Sequence, residues 1–332
     1  MIKYGKSIAN GLNDLLKEND RTIVIGEDIR DPYGGAFKIT KGLSRDYTDR
    51  VINTPISEAA IVGMAGGLAV SGFFPIVEIM FGDFITLCAD QIINHITKFR
   101  WMYNEKLKYS LMIRTPMGGR RGYGPTHSQS LEKIFFGIPN IVILAPSLVN
   151  SPSFMIKEFV NHQGVTLFIE NKFSYGLNLI DDSQLLKKGF NVSRTKDVYE
   201  TVIINMDSHP DITMITYGGM VPFVIAAAEE LFYKHEIVVE LVIMSKIIPV
   251  DLKELTDSLQ KTGKLIIVEE GSLTGGWGSE VAALVAQLCF DSLKASIKRV
   301  ASCDMVIGSS KVLEDRVLTQ KENIMEAVLG MM

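Results

Sequence analysis

The chain has 332 residues, 47% hydrophobic and 22% charged, with a formal net charge of −4 at neutral pH. That composition suits about two globular domains and excludes a disordered chain, while the scattered, slightly acidic charge excludes a nucleic-acid surface. Cys88, Cys289 and Cys303 lie far apart with no CxxC pair, which excludes a disulfide framework or a cysteine zinc site and fits a reducing, cytoplasmic setting.

The opening "MIKYGKSIANGLNDLLKEND" reads as an amphipathic helix rather than a signal peptide, because no apolar core follows its lysines. "RTIVIGED" (21–28) and "RVINTP" (50–55) are short apolar runs of the buried-strand kind. Ser57 and Glu58 then open a helix that Gly72 closes. From 59 to 77 no residue is charged, but four glycines, Ser71 and Pro75 break the run, so helix, turn and strand are expected rather than a membrane span. "PIVEIM" (75–80) is a strand, and "DFITLCADQIINHITKFRWMY" (83–103) has the apolar spacing of one long helix. "YSLMIRTP" (109–116), "NIVILAP" (140–146) and "VTLFIEN" (165–171) are further strands, with "SPSFMIKEFVNH" (151–162) a helix between the last two.

After Tyr175 the pattern loses its period, and 177–211 reads as a polar connection. A second alternating unit follows. Strands are expected at "ITMITYGG" (212–219), within "IVVELVIMSKIIPVD" (237–251, with a turn) and at "KLIIVEEG" (264–271). Helices are expected at 220–235, 252–263 and 278–290. Strands alternating with helices give an α/β class: two doubly wound domains with parallel sheets covered on both faces.

No Walker loop, HExxH, GxSxG or Rossmann GxGxxG is present. "GGAF" (34–37) and "GGWG" (275–278) lack the spacing of a phosphate cradle, and there is no GDG…N magnesium–diphosphate motif. Any phosphorylated cofactor would need its phosphates held elsewhere, as by another chain. The histidines show no metal-binding spacing.

Glu58 heads a helix that looks buried on every face. It is either a first-turn acid favoured by the helix dipole, by about 0.3–1 kcal/mol, or a desolvated carboxyl with a raised pKa that exchanges a proton. "RTPMGGRRGYGPTHSQS" (114–130) is a glycine-rich polar loop between two strands, where open α/β sheets place their sites. Within it, His127 is a candidate proton donor or simply a solvated residue, and Arg120 and Arg121 are an anion clamp or a solvated pair. Phe81 and Phe84 of "FGDF" are core residues or a stacking surface for a heteroaromatic ring. Asp90, Gln91 and Asn94 share a helix face that suits an interface.

Taken together, "GED…GGAFKITKGL", "RVINTPISEAAIVGMAGGLA", "PIVEIMFGDFITLCADQIIN", "IRTPMGG…HSQS", "PNIVILAPS", "IIPVDL" and "VEEGSLTGGWGSEVAALV" follow one another as in one family. Over nearly its whole length the chain resembles the beta subunit of the first component of 2-oxo-acid dehydrogenase complexes, of the pyruvate, branched-chain and acetoin types, among the transketolase-like enzymes. The resemblance implies a pyrimidine-binding domain over 1–190, a linker over 191–204 and a transketolase C-terminal domain over 205–332. It implies thiamine diphosphate as cofactor, with Mg2+ and the diphosphate on an alpha subunit in an α2β2 heterotetramer.

By motif, Glu58 matches the glutamate that bonds the aminopyrimidine ring and whose proton favours its imino tautomer. Phe84, with Phe81 beside it, matches the aromatic residue against that ring, and His127 the histidine facing the reacting carbon. Glu27 and Asp90 match acids lining a passage between paired sites. Leu87 departs from that acidic passage, and His162 stands where some members carry a potassium-binding aspartate, so no metal is assigned to this chain. Arg120 and Arg121 replace residues that are commonly small or neutral, and one of them is expected to meet a substrate carboxylate or phosphate. The function implied is decarboxylation of a 2-oxo acid and acyl transfer to a lipoyl-bearing acyltransferase. The alternatives are a transketolase-like carboligase, transferring a two-carbon unit to an aldehyde or sugar, and a non-catalytic assembly subunit.

Overall fold

The long apolar runs of the chain build two sheets, seen in a computed structural model that describes residues 1–332. In the first, β1 (Thr22–Gly26), β2 (Val51–Asn53), β3 (Phe74–Glu78), β4 (Ser110–Met117), β5 (Ile141–Leu144) and β6 (Gly164–Asn171) are parallel, in the order β5-β6-β4-β3-β1-β2. Every residue of β1, β4 and β6 is buried, the pattern of strands covered on both faces.

The second sheet comprises β7 (Asn191–Arg194), β8 (Val202–Asn205), β9 (Ile212–Tyr217), β10 (Val239–Met244), β12 (Leu265–Ser272) and β13 (Lys298–Ser302). Between β10 and β12 in the chain, β11 (Lys246–Ile248) crosses back to pair antiparallel with β5, extending the first sheet. Within β11, Ile247 O accepts a hydrogen bond from Trp277 Nε1 at 3.1 Å, and one apolar cluster runs through both halves.

Three local expectations change. The 177–211 stretch is not a featureless connection: Asp181 caps a helix, Asp182–Lys187, with a capping box, and β7 and β8 form an antiparallel edge hairpin inside 191–205. Their alternating exposure explains the polar composition that reads as a linker. The apolar run 237–251 is two strands in different sheets, not one.

The third is the expected helix over 83–103, which changes pitch along its length: 3-10 at Gly82–Cys88, π at Gln91–His95, 3-10 at Ile96–Lys98 and α at Phe99–Met102. Thr97 Oγ1 takes the carbonyl of Ile92 (2.9 Å) and the Tyr109 hydroxyl takes that of Ile96, so side chains replace ladder bonds there.

The helix Glu58–Val70 forms as its punctuation predicts. Gly72, at φ +90°, closes it in a Schellman arrangement, with Gly72 N–H on Ala69 O and Phe73 N–H on Leu68 O. It is not buried all round: Ile61, Val62, Ala65, Gly66 and Ala69 pack inward, whereas Ala60, Gly63, Met64, Gly67 and Val70 are exposed. That outer face is uncharged. No helix of the chain is long and apolar enough to cross a membrane.

Candidate active site

Register lines up Asn53, Gly26, Glu78, Arg114, Phe168 and Leu144 across the first sheet, and β4 and β6 run three residues further, where Met117 pairs with Asn171. Open parallel sheets place ligands at the carboxyl edge, and the sequence-predicted residues gather along it.

Glu27 leaves β1 and Glu58 heads the helix after β2; both are buried, each 7% exposed. Glu27 Oε1 has no hydrogen-bond partner. Burial raises its pKa, the Glu58 charge raises it further, and the Ser57 N–H only partly offsets this. The neighbouring Glu58 carboxylate thus makes Glu27 harder to ionise, so this edge of the sheet has a place to hold a proton at Glu27. Cys88, which also feels the Glu58 charge, has a thiol pushed up to about 12, chiefly by burial, and is inert as a nucleophile.

Beside this pair stands an aromatic wall. The His127 ring meets Phe81 edge-on at 4.6 Å and Phe84 at 5.1 Å, and Phe81 and Phe84 meet at 5.7 Å. Tyr123 and Phe37 enclose Phe81 from the other side at 5.8 and 5.5 Å. The helix Glu58–Val70 packs against the Gly82–Cys88 turn that carries Phe84. The structure therefore groups Glu58, Glu27, Phe81, Phe84 and His127 at one end of one sheet.

The loop carrying His127 is held from both halves of the chain. Gly119 N–H donates to Glu270 Oε1 at 2.8 Å, and Arg120 N–H to Glu314 Oε1 at 2.6 Å. From the first half, Asp83 Oδ1 accepts from Gln129 Nε2 at 2.8 Å. Thr126 Oγ1 lies 2.9 Å from His127 Nδ1 and fixes the ring's rotation. Gly124 (φ +76°) sits so close that a Cβ there would stand 2.6 Å from Ser309 Oγ, so this glycine lets the second half approach.

The two arginines part company. Arg120 donates to Gln320 Oε1 (3.2 Å) and to Thr319 O, and its guanidinium lies 4.1 Å above the Phe223 ring. Its charge is committed to the second half, so the expectation that it clamps a substrate is withdrawn. Arg121 is exposed, makes one bond to Lys172 O at 3.2 Å and leans on Tyr123 at the rim of the aromatic wall. Asp90 is exposed too, bonded to Asn94 Nδ2 at 2.7 Å and paired with His95, and the Asn94 bond lowers its pKa. Within this chain it belongs to the outer surface beside Leu87, not to the buried setting of Glu27.

Sequence reasoning misses several buried partners. Arg114 lies between Glu78 and Glu170, with Nε–Oε1 and Nη2–Oε2 contacts of 2.6 and 2.7 Å to the latter, and Tyr175 donates to Glu170 at 2.6 Å. The Tyr175 ring packs 5.0 Å from Phe37, so this network underlies the aromatic wall. Lys172, Asp83 and Glu270 are also missed. Each ends or follows an apolar strand, and a polar residue closing a buried strand is the signal that could find them.

Two families match the chain: "Transketolase, pyrimidine binding domain" over residues 1–176 and "Transketolase, C-terminal domain" over 202–324. The acetoin:2,6-dichlorophenolindophenol oxidoreductase subunit beta of Cupriavidus necator is 31% identical, covering 97% of this chain and 94% of that protein. The 2-oxoisovalerate dehydrogenase subunit beta of Bacillus subtilis is 34% identical over 92% and 90%. The pyruvate dehydrogenase E1 component subunit beta of Leifsonia xyli is 32% identical over 97% and 92%. A solved structure titled as a split gene transketolase, an inactive beta4 tetramer, shares the fold with a TM-score of 0.73 at 20% identity, over 98% of this chain and 96% of that one.

Proposed function

The chain belongs to the transketolase-like family that holds the beta subunits of 2-oxo-acid and acetoin dehydrogenases, and from that membership we propose that it is such a beta subunit, active with an alpha subunit on a 2-oxo acid. One observation carries the reading: the buried Glu58, beside a Glu27 with an unpartnered Oε1, heads a helix packed on the turn that carries Phe84, whose ring meets His127. Flat aromatic faces beside a proton-holding carboxyl fit the aminopyrimidine end of thiamine diphosphate. Bound there, the cofactor supplies a nucleophilic carbon and an electron sink for decarboxylation.

The chain's own part is proton handling and walls. Glu58 offers a proton from its carboxyl, and Glu27 keeps that proton from dispersing into water. Phe81 and Phe84 exclude solvent and restrict the plane of a bound ring. His127, whose Nδ1 is taken up by Thr126, keeps Nε2 for exchanging a proton with the reacting group. We assign the diphosphate and its Mg2+ to the alpha subunit, since this chain carries no phosphate-binding loop. The uncharged outer face of the helix Glu58–Val70 supports burial between subunits, for which an α2β2 assembly provides the cover.

Copurification with an alpha partner, then a screen of 2-oxo acids with ferricyanide as acceptor, tests the proposal. Ferricyanide reduction by at least one acid is expected, and failure with all of them sinks it. Transfer to a lipoyl domain is the proposed second half-reaction. Exposed Arg121 favours attention to one rival, a carboligase with an anionic acceptor, which would form an acyloin and leave the lipoyl domain unmodified. On either route Arg121→Ala is expected to raise KM for the anionic substrate about tenfold, the loss of one charge-assisted contact, with kcat little changed. Steady-state kinetics check this, and an unmoved KM removes Arg121 from the substrate site.

A further inference from the structure

Lys172 follows β6 at the same sheet edge, and its side chain is fully buried. A buried ammonium is normally neutralised by a carboxylate at contact distance. Here both hydrogen bonds go to backbone carbonyls instead, His127 O at 2.7 Å and Pro116 O at 3.4 Å, and Nζ lies 5.5 Å from the centroid of the Phe81 ring. Those three contacts belong to the His127 loop, to the end of β4 and to the aromatic wall. One side chain thus bridges the segments whose relative placement sets the site.

We infer that Lys172 is a positioning residue for the reaction proposed above: its ammonium fixes the His127 backbone to the end of β4 and to Phe81, so the imidazole and the aromatic wall keep one geometry. The inference rests on that function only for its kinetic consequences. A lysine kept for stability alone would be expected to sit against a carboxylate, and this one bonds only backbone carbonyls. Burial lowers its pKa to about 8, against the pull of Asp83, Glu270 and Glu314, with Arg121 opposing its charge. Those four groups, with the His127 and Pro116 carbonyls, face it from the Phe81 turn, the second half of the chain, the 118–131 loop and the end of β4. A charge retained against the preference of its surroundings points to use rather than to stability.

Lys172→Met separates the two roles. In the full-length chain, amide exchange over 118–131 is expected to quicken about tenfold or more as the loop loses its anchor, while Tm stays level or rises because a disfavoured buried charge is gone. In the reconstituted enzyme kcat is expected to fall about 10–100-fold with KM for the 2-oxo acid nearly constant, the signature of a misplaced catalytic group. Wild-type kcat should also decline above about pH 8 as the ammonium deprotonates, and the variant's should not. Unchanged exchange in the loop, or a drop in Tm that parallels the drop in kcat, overturns the assignment. Should the wild type decarboxylate no 2-oxo acid, the proposed function falls, and exchange and Tm still decide the anchor.

Discussion

Glu58→Gln is expected to lower turnover of the reconstituted enzyme by roughly 10²–10⁴-fold, the usual range for removing a general acid or base. The amide keeps the shape and one hydrogen-bond donor of a protonated carboxyl, so a ring can still dock. It cannot release and recover a proton. KM for the 2-oxo acid should therefore stay near the wild-type value while kcat falls. Folding should not suffer. Glu58 raises the pKa of the buried Glu27, and neutralising position 58 relieves that repulsion, so Tm should hold or rise. Single-turnover decarboxylation and a thermal scan on the same preparation check both halves. Full turnover in a variant with cofactor bound would mean that the acid at the head of this helix does no chemistry.

The residues legible in the sequence were those announced by local contrast. Glu58 stands out because nothing charged follows it until Glu78, and His127 because it interrupts a glycine-rich loop. Strand and helix positions were legible for the same reason: two-sided burial demands unbroken apolar runs such as β4 and β6. What was illegible depends on tertiary partners. Arg120 and Arg121 look alike in sequence, yet one reaches Gln320 and Phe223, some 200 and 103 positions away in the chain, and the other faces solvent. The edge hairpin β7–β8 has one wet face and so imitates a linker. The changes of pitch after Phe81 arise from the Thr97 and Tyr109 hydroxyls, whose targets no periodicity encodes. The uncovered face of the helix Glu58–Val70 was hidden by its own composition, because an interface and a core are both apolar.

Arg114→Met is expected to destabilise the chain by about 3–5 kcal/mol, since it strips the cation from two buried carboxylates at once. That is a large part of the 5–15 kcal/mol that holds a typical domain together. The loss should depend on pH, and its sign follows from the direction of the carboxyl shift. Burial already raises the pKa of Glu78, with Arg114 the main influence lowering it. Without Arg114 the folded-state pKa climbs further above the unfolded value. The native variant then holds protons that the unfolded chain has released, so its stability declines as pH rises through that window. The gap between wild type and variant should accordingly be wider at pH 7 than at pH 5. Adding Glu78→Gln and Glu170→Gln should recover part of the loss, because neutral amides need no cation. Urea unfolding of the three proteins at both pH values measures this. A gap that is constant with pH, or no recovery in the triple variant, would show that Arg114 serves as packing and not as the counter-charge. Activity should follow the same network outward: Glu170, no longer held by Arg114, shifts the Tyr175 hydroxyl bonded to it, and through Tyr175 and Phe37 the place of Phe81 against His127.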